Sequence, residues 1–403
     1  MRDCRRGTSA GVARGGRLLV AALVVGVSLA ACGSAGSPNA GAATVKIAIE
    51  GPMTGPQSST GIDMWRGAQL LANRVNAAGG VLGRRLQLVQ VDDKADAATA
   101  AATARKAVSQ GVSAVIGPYN SAVGLANLPV YLHAHVITIR LTSNQKTNRM
   151  GITVQPMDYQ VAPIEAAAVQ KSPAIKRVGI VYDTSAYTSG VAAQMRSLLT
   201  GAGVQVPAFE SIQSDQSDFH DVLTQLKATN ADLDYFVAYD PQAEDLVQQA
   251  AAVGVPGECL VDGLAAQGPT FLKTVPLALA ERCVFSGVPT ADQMPDALPY
   301  LSAYRAAYHQ DPGTWGAFSY DSLGVLVSTV QSVHSWEWSR VEPGLFHVSG
   351  YRGITGTISI DPPTGNRLNP PLVMQVVDPS GRYVVPSDWT ANGRLPVLPK
   401  LSG

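Results

Sequence analysis

Catalytic signatures are the first thing this 403-residue sequence lacks. It has no phosphate-binding G-x-x-x-x-G-K-[ST], no dinucleotide-binding G-x-G-x-x-G and no zinc-binding H-E-x-x-H. The single G-x-S-x-G, Gly7-Thr8-Ser9-Ala10-Gly11, falls in an N-terminal leader and is a chance match. His133 and His135 flank one residue, but neither cysteine nor clustered acid accompanies them. The expectation is a protein that is not an enzyme, with no metal and no cofactor. A basic surplus is missing too: 30 Lys and Arg balance 30 Asp and Glu, which argues against a nucleic-acid partner.

Long apolar runs are equally scarce. Leu18 to Ala31 spans 14 residues, short of the roughly 20 a membrane helix needs. Arg2, Arg5, Arg6, Arg14 and Arg17 precede it, so residues 1–31 read as a signal peptide. Leu29-Ala30-Ala31-Cys32 resembles a bacterial lipobox, making Cys32 the lipidated first residue of an exported protein anchored to the outer face of the cell membrane. Plain secretory cleavage is the alternative. Residues 32–43, rich in Gly, Ser and Ala, read as a flexible tether. Removing the leader, with five Arg and one Asp, leaves 25 basic and 29 acidic residues.

Cysteines are few as well. Of four, Cys4 leaves with the leader and Cys32 would carry lipid. Cys259 and Cys283 remain, each at the edge of a predicted strand, and an exported compartment favours a disulfide between them. A free thiol pair is the alternative.

What is present starts with Val45 to Asp93. Val45, Ile47 and Ile49 alternate as a strand, and Gly51, Pro52, Gly55 and Pro56 break it. Thr60 is placed to cap a helix, with Asp63 completing a variant capping box. Ile62, Trp65, Ala68, Leu71, Ala72 and Val75 supply its apolar stripe. Gly79, Gly80 and Gly83 end it before a second buried strand, Leu86 to Val91. The rhythm continues: helix from Ala95, strand Ser113–Gly117, helix Ser121–Tyr131 broken at Pro129, strand Val136–Ile139. It pauses near Pro156 and resumes at Arg177–Asp183, with further strands near 204–209, 234–239, 260 and 284. Two helices, 298–309 and 318–334, and short strands at 356–361 and 372–377 complete the chain. Two sets of βα units predict an α/β fold of two doubly wound parallel-sheet lobes joined by hinge crossovers. The cleft between such lobes is the default ligand site.

GPMTGP at Gly51–Pro56, Gly67-Ala68 and NAAGGVLGRRLQLVQVDD at Asn76–Asp93 resemble the opening of the leucine/isoleucine/valine-binding protein family, type I periplasmic solute-binding proteins of ABC importers. VSAVIGPYNSA, RVGIVYDTSAYTSG, DYFVAYDPQAEDLVQQAAAVG and TGTISIDPPTG extend the resemblance over nearly all of the mature chain. It implies a monomeric binding protein that closes on an amino acid or related small molecule and hands it to a permease. A ligand sensor signalling to a membrane partner, or a binder of amides or small carboxylic acids, is the alternative. It also implies that the helices after Gly287 return to the first lobe. Lobe 1 would be 44–157 plus 287–352, and lobe 2 158–286 plus 353–403.

Carried over by position, the resemblance places a ligand wall at Thr60, where the family often has an aromatic ring. Ser121, beside Asn120, falls on the hydroxyl that meets the ligand carboxylate; a helix N-terminus suits an anion there, although a simple N-cap fits equally. Thr142 and Ser143 match the second carboxylate-binding segment, with Arg140 nearby, solvated, paired or adding positive charge. Tyr187 matches an aromatic residue that closes over the ligand. Asp240 is either a helix cap or a cleft residue. The family's ammonium-binding Glu falls near Leu264, and Asp262 is the nearby acid able to replace it.

Overall fold

Residues 43–266 and 270–402 are described in the computed structural model; the expected leader, Cys32 and all of the tether but Ala43 lie outside them. Strand β1 (Thr44–Gly51) buries Val45, Ile47, Ala48 and Ile49, so both of its faces are covered. It is flanked by β2 (Arg85–Asp92) and β3 (Ala114–Ile116), and β4 (Ile137–Ile139) pairs with β3, all parallel in the order β2-β1-β3-β4. Helices α1 (Ser58–Ala77), α2 (Ala97–Ser109) and α3 (Ser121–His133) make the crossovers.

The start of α1 differs from the sequence expectation. Gln57 is its N-cap and makes no side-chain cap bond, so Thr60 lies inside the first turn and Asp63 closes no capping box. Asp63 reaches another helix instead. Its buried carboxylate accepts hydrogen bonds from Gly313 N (2.9 Å), Gly316 N (2.5 Å) and the Tyr304 hydroxyl (2.9 Å). Gly313 and Gly316 open α12 (Thr314–Val333), where the first amides of a helix lack an acceptor within the helix, so Asp63 caps a helix 250 residues away. At this crossing a Cβ on Gly67 would lie 1.9 Å from the Gly316 carbonyl oxygen. The buried stripe of α1 shifts accordingly: Met64 and Gly67 are buried, and Ile62 is exposed. Pro129 does not break α3, which runs to His133 with Val123, Leu128 and Tyr131 buried; packing on the sheet outweighs one missing amide.

The second sheet repeats the plan after α4 (Asp158–Lys171). Strands β5 (Arg177–Asp183), β6 (Gln205–Ile212), β7 (Leu233–Val237), β8 (Glu258–Asp262) and β9 (Cys283–Gly287) are parallel, ordered β6-β5-β7-β8-β9. Helices α5 (Ala186–Gly201), α6 (His220–Ala228) and α7 (Gln242–Val253) connect the earlier strands, and three one-turn helices, α8 (Gly263–Ala266), α9 (Phe271–Thr274) and α10 (Leu277–Ala280), lie between β8 and β9. Cys259 and Cys283 are bonded, directly opposite each other in the β8–β9 register.

The chain then crosses back. Helix α11 (Leu298–Tyr308) and α12 pack on α1, and Glu342 of α13 (Trp338–Leu345) accepts from the amide of Thr138 in β4 at 3.1 Å. Hairpins β10 (Tyr351–Gly353)–β11 (Gly356–Ile358) and β12 (Ile360–Asp361)–β13 (Asn366–Arg367) follow. Strand β14 (Val373–Val377) then adds antiparallel to β9, with β15 (Tyr383–Val384) outside it and α14 (Ser387–Asn392) beyond.

Two buried arginines pin the crossover segments. Arg367 donates to the carbonyls of Val154 (3.0 Å) and Thr355 (2.8 Å), tying the last crossover to the first. Arg140 donates to the Thr142 carbonyl (3.1 Å) and to Asn366. It is fully buried and bonded to neutral oxygens, so it is neither solvated nor ion-paired, and burial lowers its pKa to about 9. No helix among the described residues is long and apolar enough to cross a membrane.

Candidate functional site

Both sheets share one strand order, so each has a switch point where consecutive crossovers leave in opposite directions, between β1 and β3 and between β5 and β7. Loops at the carboxyl ends of such strands splay apart and leave a crevice. Here the two crevices face one another across a cavity of about 510 Å³. Gln57, Asn120 and Ser121 line it from the first sheet; Asp183, Ser185, Tyr239 and Gln242 line it from the second.

On the first side, Gly117 has φ +116°, and a Cβ there would sit 2.1 Å from the Glu50 carbonyl oxygen, so glycine lets the β3 exit loop turn against β1. That turn delivers Asn120 and Ser121 to the start of α3. Asn120 is buried; its Nδ2 donates to Gln57 Oε1 at 2.9 Å, and its Oδ1 has no partner. Ser121 Oγ accepts from the amides of Ser143 (3.3 Å) and Asn144 (3.1 Å), so it stitches the segment after β4 to α3. Behind it, Ser143 Oγ donates to the Pro156 carbonyl, and the Thr142 and Thr147 hydroxyls share a bond.

On the second side, Asp183 ends β5 and organises two loops. It accepts from Ser185 N (2.7 Å), the Thr188 hydroxyl (2.8 Å) and Tyr239 N (3.1 Å). Tyr239 of the cavity wall clusters with Tyr119, Tyr187 and Trp315 behind it, with ring centroids 5.3–6.1 Å apart along the chain Trp315–Tyr119–Tyr239–Tyr187. Burial raises the pKa of all three tyrosines, which stay protonated donors. The Tyr187 hydroxyl donates to Asp262 (3.0 Å), which also accepts from Leu264 N (2.9 Å). Burial raises Asp262 to a pKa of about 6 against the lowering effect of those bonds. Asp240 accepts from the Thr270 hydroxyl (2.8 Å); burial, then the neighbouring Glu244, raise its pKa.

Two bonds join the sides. Tyr119 donates to the Leu264 carbonyl of α8 at 3.0 Å, and Asn144 Nδ2 donates to the Ala186 carbonyl of α5 at 2.6 Å.

Of the residues expected at the site, Asn120 and Ser121 line the cavity. Thr142, Ser143, Tyr187 and Asp262 form the layer behind it, Thr60 is buried in the first turn of α1, and Asp240 turns toward α9. Gln57, Ser185, Tyr239 and Gln242 line it without having been singled out. Their signal was position, since each sits in a strand-to-helix connection or at the helix start that follows it, whereas Trp315 carried none. Among the described residues no three His, Cys, Asp or Glu are grouped to hold a metal.

The profile of a family described as "Periplasmic binding protein" matches residues 44–382. A Leu/Ile/Val-binding protein of Citrobacter freundii is 29% identical over 294 residues, covering 70% of this chain and 77% of its own. A branched-chain amino acid transporter substrate-binding protein of Streptococcus pneumoniae, solved with isoleucine, superposes with TM-score 0.76 at 25% identity, over 85% of this chain and 100% of that one. A solute-binding protein of an ABC transporter from R. palustris, solved with benzoate, gives TM-score 0.76 at 16% identity, over 85% and 95%.

Proposed function

Because the chain belongs to the periplasmic binding protein family, we propose that it is the extracytoplasmic solute-binding component of an ABC importer. It captures a small polar solute between its lobes and presents the closed form to a permease. The observation that carries this reading is the cavity built from strand-end loops of both sheets, bridged by Tyr119–Leu264 and Asn144–Ala186. Those two bonds exist only when the lobes meet, so a ligand that fills the cavity favours the closed state.

Asn120, Ser121, Tyr239 and Gln242 are the groups in direct reach of a ligand. Thr142, Ser143, Tyr187 and Asp262 hold them in place, and Thr60 and Asp240 buttress the two flanks. The lobe division runs at 157/158, 286/287 and 352/353. The protein acts without catalysis, as a monomer, tethered by a lipid on Cys32.

Names of relatives put branched-chain amino acids first in a ligand panel and small carboxylic acids second. Calorimetric titration of the exported protein with amino acids, amides and small carboxylates tests the reading; no heat with any of them refutes it. Mass spectrometry of wild type and Cys32→Ala tests the anchor: a diacylglyceryl mass on wild type alone supports it.

A further inference from the structure

Among the residues lining the cavity there is no Lys, Arg or His, while Asp183 is a carboxylate. Asp183 is buried, and no ion pair among the described residues includes it. Its Oδ1 accepts from Ser185 N and the Thr188 hydroxyl, but its Oδ2 accepts from Tyr239 N alone. A carboxylate offers about four lone-pair sites, so Oδ2 keeps one open. Three neutral donors leave its charge without a counter-charge, and a buried charge calls for one.

The first lobe adds a matching demand. Asn120 is buried at the wall, and its Oδ1 has no partner while its Nδ2 is held by Gln57. A buried acceptor left unpaired calls for a donor. The cation on this side of the fold is already engaged: Arg140 is held in the crossover by the Thr142 carbonyl and Asn366. Behind the wall, burial first and then the carboxyls of Asp240, Asp262 and Asp183 raise the Tyr119 pKa, so the field there is negative as well. Asp262, expected by position to meet an ammonium group, is out of reach behind the Tyr187 hydroxyl.

From this we infer that the ligand carries a protonated amine, that Asp183 Oδ2 receives it, and that Asn120 Oδ1 is a second acceptor for its N–H groups. The inference rests on the receptor reading above and names the head group the ligand must have. Amino acids and simple amines both belong to the class, since the amides at the starts of α3 and α5 suit a carboxylate carried beside the amine. A ligand with a carboxylate and no amine leaves Asp183 facing a like charge.

Two matched series test this by calorimetry on the exported, disulfide-intact protein. Leucine, isoamylamine, isocaproate and isocaproamide share one branched tail; benzylamine, benzoate and benzamide share one ring. In a series that binds, the amine-bearing members should bind roughly tenfold or more tightly than the carboxylate-only and neutral members. Asp183→Asn should weaken the amine-bearing members by roughly ten- to a hundredfold and erase most of their margin over the amide. A general loosening of the loops would weaken both and keep the margin. Asn120→Asp, which adds a second carboxylate to the wall, should tighten the amines roughly threefold or more, a gain that no folding defect produces. A carboxylate-only or neutral member that binds as tightly as its amine overturns the inference and leaves the receptor reading standing. A margin unchanged in Asp183→Asn overturns it too. No heat from either series also overturns it, while the wider panel above decides the receptor reading separately.

Discussion

Glu50 offers a test of how this protein manages buried charge. It lies near the end of β1, fully buried, with Oε1 accepting from Asn127 Nδ2 at 2.8 Å and Oε2 without a partner. Burial first, and the neighbouring Asp93 second, raise its pKa from 4.5 to about 8. A carboxyl whose folded pKa exceeds its unfolded one binds its proton more tightly when folded. Its contribution is therefore complete below about pH 4.5 and is lost as pH rises toward 8. At about 1.4 kcal/mol per pH unit, and allowing for half-titration, the loss reaches about 4 kcal/mol by pH 8. Glu50→Gln keeps the shape and the acceptor for Asn127 but cannot ionise. Urea unfolding should therefore find the variant within about 1 kcal/mol of wild type near pH 5 and more stable by about 3–4 kcal/mol near pH 8. Parallel stability curves for the two proteins across that range, or a variant weaker than wild type at the alkaline end, would refute the reasoning.

Three further outcomes are expected. Cys259→Ser with Cys283→Ser should lower stability by about 3 kcal/mol, since the bond closes a loop of sequence separation 24, as read by urea midpoints of oxidised wild type and variant. Gly67→Ala should destabilise by several kcal/mol and lower the melting temperature, because its Cβ would meet the Gly316 carbonyl at 1.9 Å and force α1 from α12; a melting point within a degree of wild type counts against this packing. Tyr119→Phe deletes the bond to the Leu264 carbonyl and should cost the closed state about 0.5–1.5 kcal/mol, weakening ligand affinity and enlarging the radius of gyration by small-angle scattering; unchanged values would show the bond is not a latch.

The strands and the order of helices were legible because their signal is local. Val45, Ile47 and Ile49 announce a buried parallel strand by themselves, and Cys259 and Cys283 needed only neighbouring strands and an oxidising compartment. The departures arise where a distant partner decides. Thr60 and Asp63 fit a capping box, but the amides of Gly313 and Gly316 at the start of α12 claim Asp63 from 250 residues away. Pro129 is a helix breaker until the sheet beneath α3 outweighs it. Arg140 reads as a solvated, paired or ligand-facing cation, yet the Thr142 carbonyl, the Met157 sulfur and Asn366 from the last crossover hold it in the interior. The site suffers most from this, since its wall gathers single residues from loops of both sheets. Strand-end position marks Tyr239 and Gln242 as candidates, but nothing in the sequence shows that Tyr187 turns inward to Asp262.

Leu264 sharpens what that arrangement means for function. By resemblance this position holds an acidic residue that meets a ligand's ammonium group. Here its side chain is buried, and its backbone acts instead: the amide fixes Asp262, and the carbonyl receives the Tyr119 hydroxyl from the other lobe. Through that bond closure draws part of its free energy from the protein itself, so the ligand need supply less.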